Sequence, residues 1–341
     1  MVSDDPRLDN DDRRDRGPGR ARPIDILIVD PGVARAQRPD DQWLAKRLQH
    51  VLSIALTPGL RDDRFDRWTA PDGLMLALAL DGDEPVGFLG GGIEDGRIKL
   101  DGLLAADRAD GANGAMLATA LYRSLDTSIT NTSRGPGAVS AVELWGRPAA
   151  GWHRSLAEHH GFDEYRALHQ FRCTLPTETA PLSSRAFVPG QDDDALIEIN
   201  NRAFATHPDQ GNMSSADLAE ATAQPWFNPD GIRLYDDPGD PGRLAGFCWT
   251  KIHEPTAPGE PRLGEIYVIG IDPDHHGKGL GVPMTAAGLT WLADQGLTTG
   301  MLYVEADNAP AIRTYEKLGF TLHRTDRAWS KRLGPPRSHQ S

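Results

Sequence analysis

The apolar run Gly264-Glu265-Ile266-Tyr267-Val268-Ile269-Gly270-Ile271 gives way to a glycine-rich turn, His276-Gly277-Lys278-Gly279-Leu280-Gly281, and an apolar stretch opens behind it from Val282 to Leu292. A short apolar run bounded by turn residues reads as a strand, and the longer stretch reads as a helix. A loop of this kind can aim several backbone N–H groups at one point. With the positive end of the following helix it forms an anion site suited to a pyrophosphate. It is not a Walker A loop, because no Gly-Lys-Ser/Thr closes it. It is not a dinucleotide fingerprint either, since it follows a strand late in the chain and lacks the ribose-binding acid.

A second segment continues the pattern. Leu302 to Phe320 reads as strand, turn, short helix and glycine stop. Asp307 or Asn308 can cap the helix, and Gly319 can end it in the left-handed conformation. Upstream, Asp193–Ala205 and Met213–Ala223 read as helices, the second capped by Ser214 or Ser215. Strands are expected at Gly231–Tyr235, Leu244–Lys251, Gly264–Ile271 and Thr299–Glu305.

The first half of the chain echoes the second. Ile98 to Leu104 is strand-like, Arg108 to Gly114 forms a polar turn, and Ala115 to Leu125 is helical. Gly114 precedes Gly281 by 167 residues, and Gly161-Phe162 precedes Gly319-Phe320 by 158. Similar offsets at two places argue for duplication of a unit too long for a solenoid repeat. The 341 residues therefore divide into domains at 24–175 and 186–335, joined by a Pro-, Thr- and Ser-rich segment. Residues 1–23, rich in Asp, Arg, Gly and Pro without an apolar signal core, read as a disordered tail. Aligning the halves places Ile98 opposite Glu265 and Ala157 opposite Tyr315. The first loop also carries Asp107 and Asp110, which would repel phosphate. The first half thus reads as a scaffold and the second as the catalytic half.

A net charge of −13 argues against nucleic acid or an anionic membrane as a partner. No apolar run approaches membrane-spanning length, and the two cysteines, Cys173 and Cys248, show no metal-type spacing. A cytoplasmic monomer that acts on small molecules, without a metal, is the expectation.

Together the two second-half segments resemble the GCN5-related N-acetyltransferases, whose loop reads (Gln/Arg)-x-x-Gly-x-(Gly/Ala); His276 stands where Gln or Arg is usual. The resemblance implies an α/β fold, an α+β mixed sheet with helices on both faces, in two tandem acetyltransferase domains of which the first is degenerate. It implies acetyl-CoA as co-substrate, held by Ile269, Gly270, Ile271, His276, Gly277, Lys278, Gly279, Leu280, Gly281 and Val282, and by Asn308, Ala309, Pro310, Ala311, Ile312 and Arg313. In the family a strand bulge frees main-chain groups near Ile269-Gly270-Ile271 to polarise the acyl carbonyl, and Gly270 is expected to host it. By the same resemblance Glu265 is the base that takes the amine's proton and Tyr315 the acid that protonates the leaving thiolate. Tyr303 and Glu305, on one face of their strand, would flank the same cleft.

From about Asn200 to Phe320 the acceptor segments resemble those family members that acetylate the cysteinyl amine of cysteinyl-glucosaminyl-inositol. That likeness assigns Asp209, Lys251, Glu265 and Tyr303 to the aminoacylated sugar-inositol, with Asp62 as the first half's contribution. The rival readings are acetylation of another small amine and a non-catalytic acyl-CoA sensor.

Overall fold

The computed structural model describes residues 24–29, 46–47, 75–132, 139–147, 149–205, 211–255 and 261–333. The first half comprises β1 (Asp25–Val29), β2 (Met75–Asp81), β3 (Glu84–Glu94), β4 (Arg97–Leu104), α1 (Gly111–Thr132), β5 (Ala141–Gly146), α2 (Gly151–His160) and β6 (Asp163–Thr174). The second comprises β7 (Arg185–Ala186), α3 (Asp193–Ala203), α4 (Ser215–Thr222), β8 (Ile232–Asp236), β9 (Leu244–His253), β10 (Leu263–Ile271), α5 (Gly281–Asp294), β11 (Thr299–Glu305), α6 (Ala309–Glu316) and β12 (Thr321–Arg332). The proposed disordered tail and Asp62 and Asp209 lie outside the described residues.

The duplication is visible element by element. Helices α2 and α6 begin 158 residues apart, and β6 and β12 share that offset at both ends. The turns before α1 and α5, at Ala106–Arg108 and Pro273–His275, are 167 apart. The offset shrinks in between because α1 has 22 residues where α5 has 14.

The twelve strands among the described residues form one mixed sheet in the order β1-β2-β3-β4-β5-β12-β6-β11-β10-β9-β8-β7. The centre of that order is an exchange. β12, from the second half, pairs with β5, and β6, from the first, pairs with β11. β6 and β12 pair with each other, with Arg172 opposite Thr321 and Asp163 opposite Ser330. Those two pairs are related by the repeat itself, as contacts across a two-fold axis would be.

Local chemistry explains the ends of the elements that carry the site. Ser214 caps α4 through its hydroxyl, which accepts from the Asp217 N–H at 3.2 Å, while the Asp217 carboxylate accepts from the Ser214 N–H at 2.8 Å. Asn308 caps α6 by accepting from the Ala311 N–H at 3.2 Å, and Pro310 sits in its first turn where a missing N–H costs nothing. In the second half α5 and α6 cover one face of the sheet, packing Met284, Leu289, Leu292 and Leu318 against Cys248, Ile266 and Leu302. Helices α3 and α4 cover the other, over Phe247 and Trp249. Burying each such Leu or Met contributes on the order of 1.5–3 kcal/mol. In the first half α1 and α2 pack on Leu100, Val142 and Leu144, and Trp329 of β12 completes that core. Each half's core thus contains the other half's strand or abuts it.

Candidate active site

The glycine loop closes as its composition requires. Gly277 and Gly279 lie at φ +77 and +78, where a side chain is disfavoured, and open space surrounds the position of a Cβ at both. His276 donates from Nε2 to the Ile271 carbonyl at 3.0 Å, bridging the loop to the end of β10. That bond gives the histidine a place in a position where Gln or Arg is usual. Gly281 begins α5, and a Cβ on it would come 3.6 Å from Thr314 of α6, so the loop and the α6 segment face one another. The coenzyme-type residues 276–282 and 308–313 are thereby brought together.

Behind the loop lies an anchor that the sequence reading missed. The Asp272 carboxylate is buried and accepts from Arg202 Nε at 2.8 Å and from Arg243 at 2.8 Å. It also accepts from the Asp274 N–H at 2.9 Å, which caps the turn into the loop. Burial alone would raise its pKa, but the hydrogen bonds from Arg202 and Arg243 outweigh it and hold the carboxyl well below the usual range. The signal for this anchor was absent from the sequence because its three members sit on α3, in the turn before β9 and at the start of the loop.

Strands β10 and β11 run parallel and paired only from Gly264↔Gly300 to Ile266↔Leu302. β10 continues to Ile271 and β11 to Glu305, so the two part company at the level of Tyr267. The irregularity in the β9–β10 ladder falls there too, between Ile266 and Val268. The expected bulge at Gly270 is therefore corrected: Gly270 pairs in register with Phe247. Its missing side chain answers a packing need, since a Cβ would lie 2.4 Å from Phe247 Cε1 and 3.1 Å from Ala203 Cβ. Beyond Ile266, β10 has no ladder partner in β11, and that unpaired stretch includes the 269–271 segment expected to polarise a carbonyl.

Glu265, in the paired stretch just before the strands part, and Tyr315 lie on opposite faces of the sheet. Glu265 points to the face covered by α3 and α4. It is buried, and its carboxylate lies 2.8 Å from His253 Nε2. Tyr315 lies on the α5–α6 face, buried in the cluster with Met284, Cys248 and Phe320. Its ring meets Phe320 edge-on at 5.9 Å. Burial, with a smaller contribution from Cys248, pushes its phenol up to about 12, so it keeps its proton at neutral pH. Burial also pushes the thiols of Cys173 and Cys248 up to about 12. Neither is a nucleophile for an acyl-enzyme, because the thiolate is the reactive form.

The face that carries Glu265 holds the remaining polar groups in register. Lys251 stands opposite Glu265 across β9–β10, and its ammonium lies 4.7 Å from the centre of the Trp226 ring and 5.7 Å from that of Tyr267. Tyr303 is two residues beyond Met301, the partner of Glu265 on β11. Its hydroxyl accepts from Gln170 Nε2 at 2.7 Å and from Arg324 Nη2 at 2.6 Å. Glu305 is engaged by Arg166 at 2.7 Å. Local sequence could have suggested His253, which alternates with Lys251 along β9. It could not have suggested Gln170 and Arg324, which reach the site through the strand exchange.

Known proteins bear this architecture. A profile of the acetyltransferase (GNAT) family matches residues 194–320. The chain is 38% identical over 331 residues to a mycothiol acetyltransferase of Salinispora arenicola, a match spanning 91% of this chain and 99% of that one. It is 45% identical over 192 residues to one of Streptomyces coelicolor, across 54% of this chain but only 60% of the relative. Among solved structures, a GCN5-related N-acetyltransferase from Sphaerobacter thermophilus superposes with a TM-score of 0.65 at 19% identity, covering 92% of this chain and 96% of that one. A tandem GNAT protein from the clavulanic acid biosynthesis pathway gives 0.56 at 15% identity, covering 92% and 99%. The structural likenesses support the tandem mixed-sheet fold.

Proposed function

The chain belongs to the mycothiol acetyltransferase family, and from that premise we propose that it transfers acetyl from acetyl-CoA to the cysteinyl amine of cysteinyl-glucosaminyl-inositol, the last step of mycothiol biosynthesis. We assign the chemistry to the second half, 186–335, and a supporting role to 24–175. What supports the assignment is that β10 and β11 part just beyond Glu265, while Tyr315 lies buried on the opposite face of the sheet. A thioester lying in that parting has a carboxylate on the side from which an amine can approach and a protonated phenol on the side of its sulfur.

The sequence of events follows from those positions. The acceptor arrives as an ammonium ion, and Glu265 takes its proton, directly or through one water. His253, hydrogen-bonded to the carboxylate, holds it in place. The free amine attacks the thioester carbonyl, whose oxygen gathers charge near the main chain of Ile269, Gly270 and Ile271. The attacking nitrogen, cationic after attack, gives its second proton to water; collapse of the tetrahedral intermediate breaks the carbon–sulfur bond, Tyr315 gives its proton to the sulfur, and the phenolate regains a proton from solvent as the products leave. The pyrophosphate lies on the amides of His276 to Val282 at the start of α5, and the pantetheine side meets Asn308 to Arg313. Lys251 and Tyr303, with Asp62 and Asp209, receive the sugar-inositol, whose hydroxyls suit charged and phenolic partners. The enzyme acts in the cytoplasm as a monomer. Pure protein incubated with acetyl-CoA and a panel of amines that includes cysteinyl-glucosaminyl-inositol tests this. Thiol release should be fastest with that acceptor, and preference for an unrelated amine overturns the assignment.

A further inference from the structure

Tyr303 sits at the end of a directed chain of hydrogen bonds. Arg172 Nε donates to Gln170 Oε1 at 3.1 Å, which fixes the amide's orientation and turns its Nε2 toward Tyr303. Arg324 Nη2 donates to the same phenol oxygen from the opposite side, and its Nε lies 3.2 Å from Asp326 Oδ1. A phenol oxygen has two lone pairs and one proton. Gln170 and Arg324 take both lone pairs, and neither group can accept a hydrogen bond through the nitrogen it presents. The Tyr303 proton is therefore directed away from both.

Tyr303 projects from the same face of the sheet as Glu265 and Lys251. Two carboxylates act on the phenol, Asp326 more strongly than Glu265, and Asp326 is itself faced by Arg324 Nε at 3.2 Å. Gln170 is almost wholly buried, at 3% exposure, so this arrangement is held rather than sampled.

Resting on the reading of the second half as an acetyltransferase site, we propose that Gln170 and Arg324 are positioning residues that make Tyr303 an obligate hydrogen-bond donor to an oxygen of the acceptor. The first half thereby takes part in acceptor recognition. It does so through its last strand, β6, which the exchange lays against β11. Acceptor specificity is then built into the seam between the halves, and a first half that has lost its own chemistry is still required for the second half's.

The test is a double-mutant cycle between Gln170 and Tyr303, read as the acceptor's kcat/KM at saturating acetyl-CoA. Gln170→Leu should raise the acceptor KM by about 5- to 50-fold, the scale of losing one oriented buried hydrogen bond, and leave the acetyl-CoA KM unchanged. Tyr303→Phe should do at least as much. The double variant should be no worse than Tyr303→Phe alone, because the amide acts only through the phenol. Gln170→Glu guards against a folding failure of the leucine variant. It preserves size, and its carboxylate can only accept, so it would draw the Tyr303 proton back and raise the acceptor KM as well. Additive effects in the cycle, a wild-type acceptor KM in Gln170→Glu, or an equal rise in both substrates' KM overturns the proposal while leaving the enzyme's activity assignment intact. A wild-type enzyme that does not acetylate cysteinyl-glucosaminyl-inositol overturns both.

Discussion

The two halves are built on one plan and differ where we propose that the chemistry lies. In the second, β10 and β11 pair over three residues and then diverge. In the first, β4 and β5 pair from Arg97↔Ala141 through Asp101↔Trp145, almost the whole of β5, so no comparable gap opens. The paired registers set Glu265 against Lys99, correcting the loop-based alignment with Ile98 by the one residue that the irregularity at Tyr267 inserts, and Tyr315 corresponds to Ala157, which is buried in the first core. The loops diverge in the same sense. A Cβ on Gly281 would meet nothing closer than Thr314 at 3.6 Å, whereas one on Gly114 would lie 2.3 Å from the Ala109 carbonyl oxygen. In the first half the loop has folded down onto its helix, placing a carbonyl where an anion would need a donor. If the second half holds the site, the first differs from it by fuller strand pairing, a closed loop and exchanged side chains, with the sheet and its helices left in place.

Removing the acid tests that contrast most severely. Tyr315→Phe keeps the ring and its packing on Phe320 but deletes the proton. The kcat should fall by roughly 10²- to 10⁴-fold with both KM values little changed. Near-normal kcat at a pH where chemistry limits the rate would make Tyr315 a packing residue like Ala157, and the halves would differ less than their cores suggest.

Glu265→Gln should follow in size and differ in its pH profile. The amide can still meet His253, so the strand pairing should survive. The loss in kcat/KM should be greatest at low pH, where the acceptor is an ammonium ion, and should shrink as the free amine appears. A wild-type pH profile would place the base elsewhere. Glu305 is the next carboxylate on that face, but its ion pair with Arg166 already commits it.

Sequence periodicity located the second half's elements from Asp193 to Glu316 to within two residues of their observed ends. Those elements are amphipathic, capped and bounded by turn residues, so local rules suffice. The exchange of β6 and β12 was not legible, because an alternating strand does not state which neighbour it pairs with. Gln170, Arg172 and Arg324 stayed invisible for that reason. The Asp272 anchor stayed invisible because buried ion pairs join distant segments. Gly270 misled in a different way. A strand glycine signals a bulge or a close approach equally well, and here Phe247 makes it the latter.

A matched pair of loop substitutions comes next in size. Gly279→Asp puts a side chain at φ +78 and a charge at the proposed pyrophosphate position. The acetyl-CoA KM should rise by about 10- to 100-fold, the scale of losing charged hydrogen bonds. Gly111→Asp makes the same change at φ +60 in the first loop, again with open space around the Cβ. Some stability should be lost, on the order of 1 kcal/mol for a left-handed glycine, but turnover should stay within a few-fold. Gly114 is unsuitable for this comparison because of its clash with backbone. Equal KM effects from both substitutions would mean that the first half still holds coenzyme.

The smallest effect concerns the helix that replaced the α6 segment in the first half. Ala150 stands where the second half has Asn308, and His153 where it has Ala311. The cap has reversed accordingly: in α2 the Ala150 N–H donates to His153 Nδ1 at 3.0 Å. The ring is buried beside Trp152, and burial pushes its pKa from 6.5 down to about 3; the Ala150 N–H, which needs the lone pair on Nδ1, favours the same neutral form. A histidine neutral when folded and ordinary when unfolded gives an unfolded chain that binds more protons between those two values. Stability must then rise with pH across that window and fall as the solution is acidified below 6.5. Between pH 7 and 6 the loss is about 0.7 kcal/mol, growing toward about 1.4 kcal/mol per pH unit further down. Denaturant melts of wild type and His153→Asn across pH 7 to 5 isolate the contribution, since the asparagine keeps an acceptor for Ala150 and does not titrate. The variant's stability should vary less with pH, and its turnover at pH 7 should match wild type. Parallel pH dependences would mean that the imidazole is protonated in the fold. In that case the first half's cap would be a cation beside the second half's Trp329, and the seam would be electrostatically live on both sides.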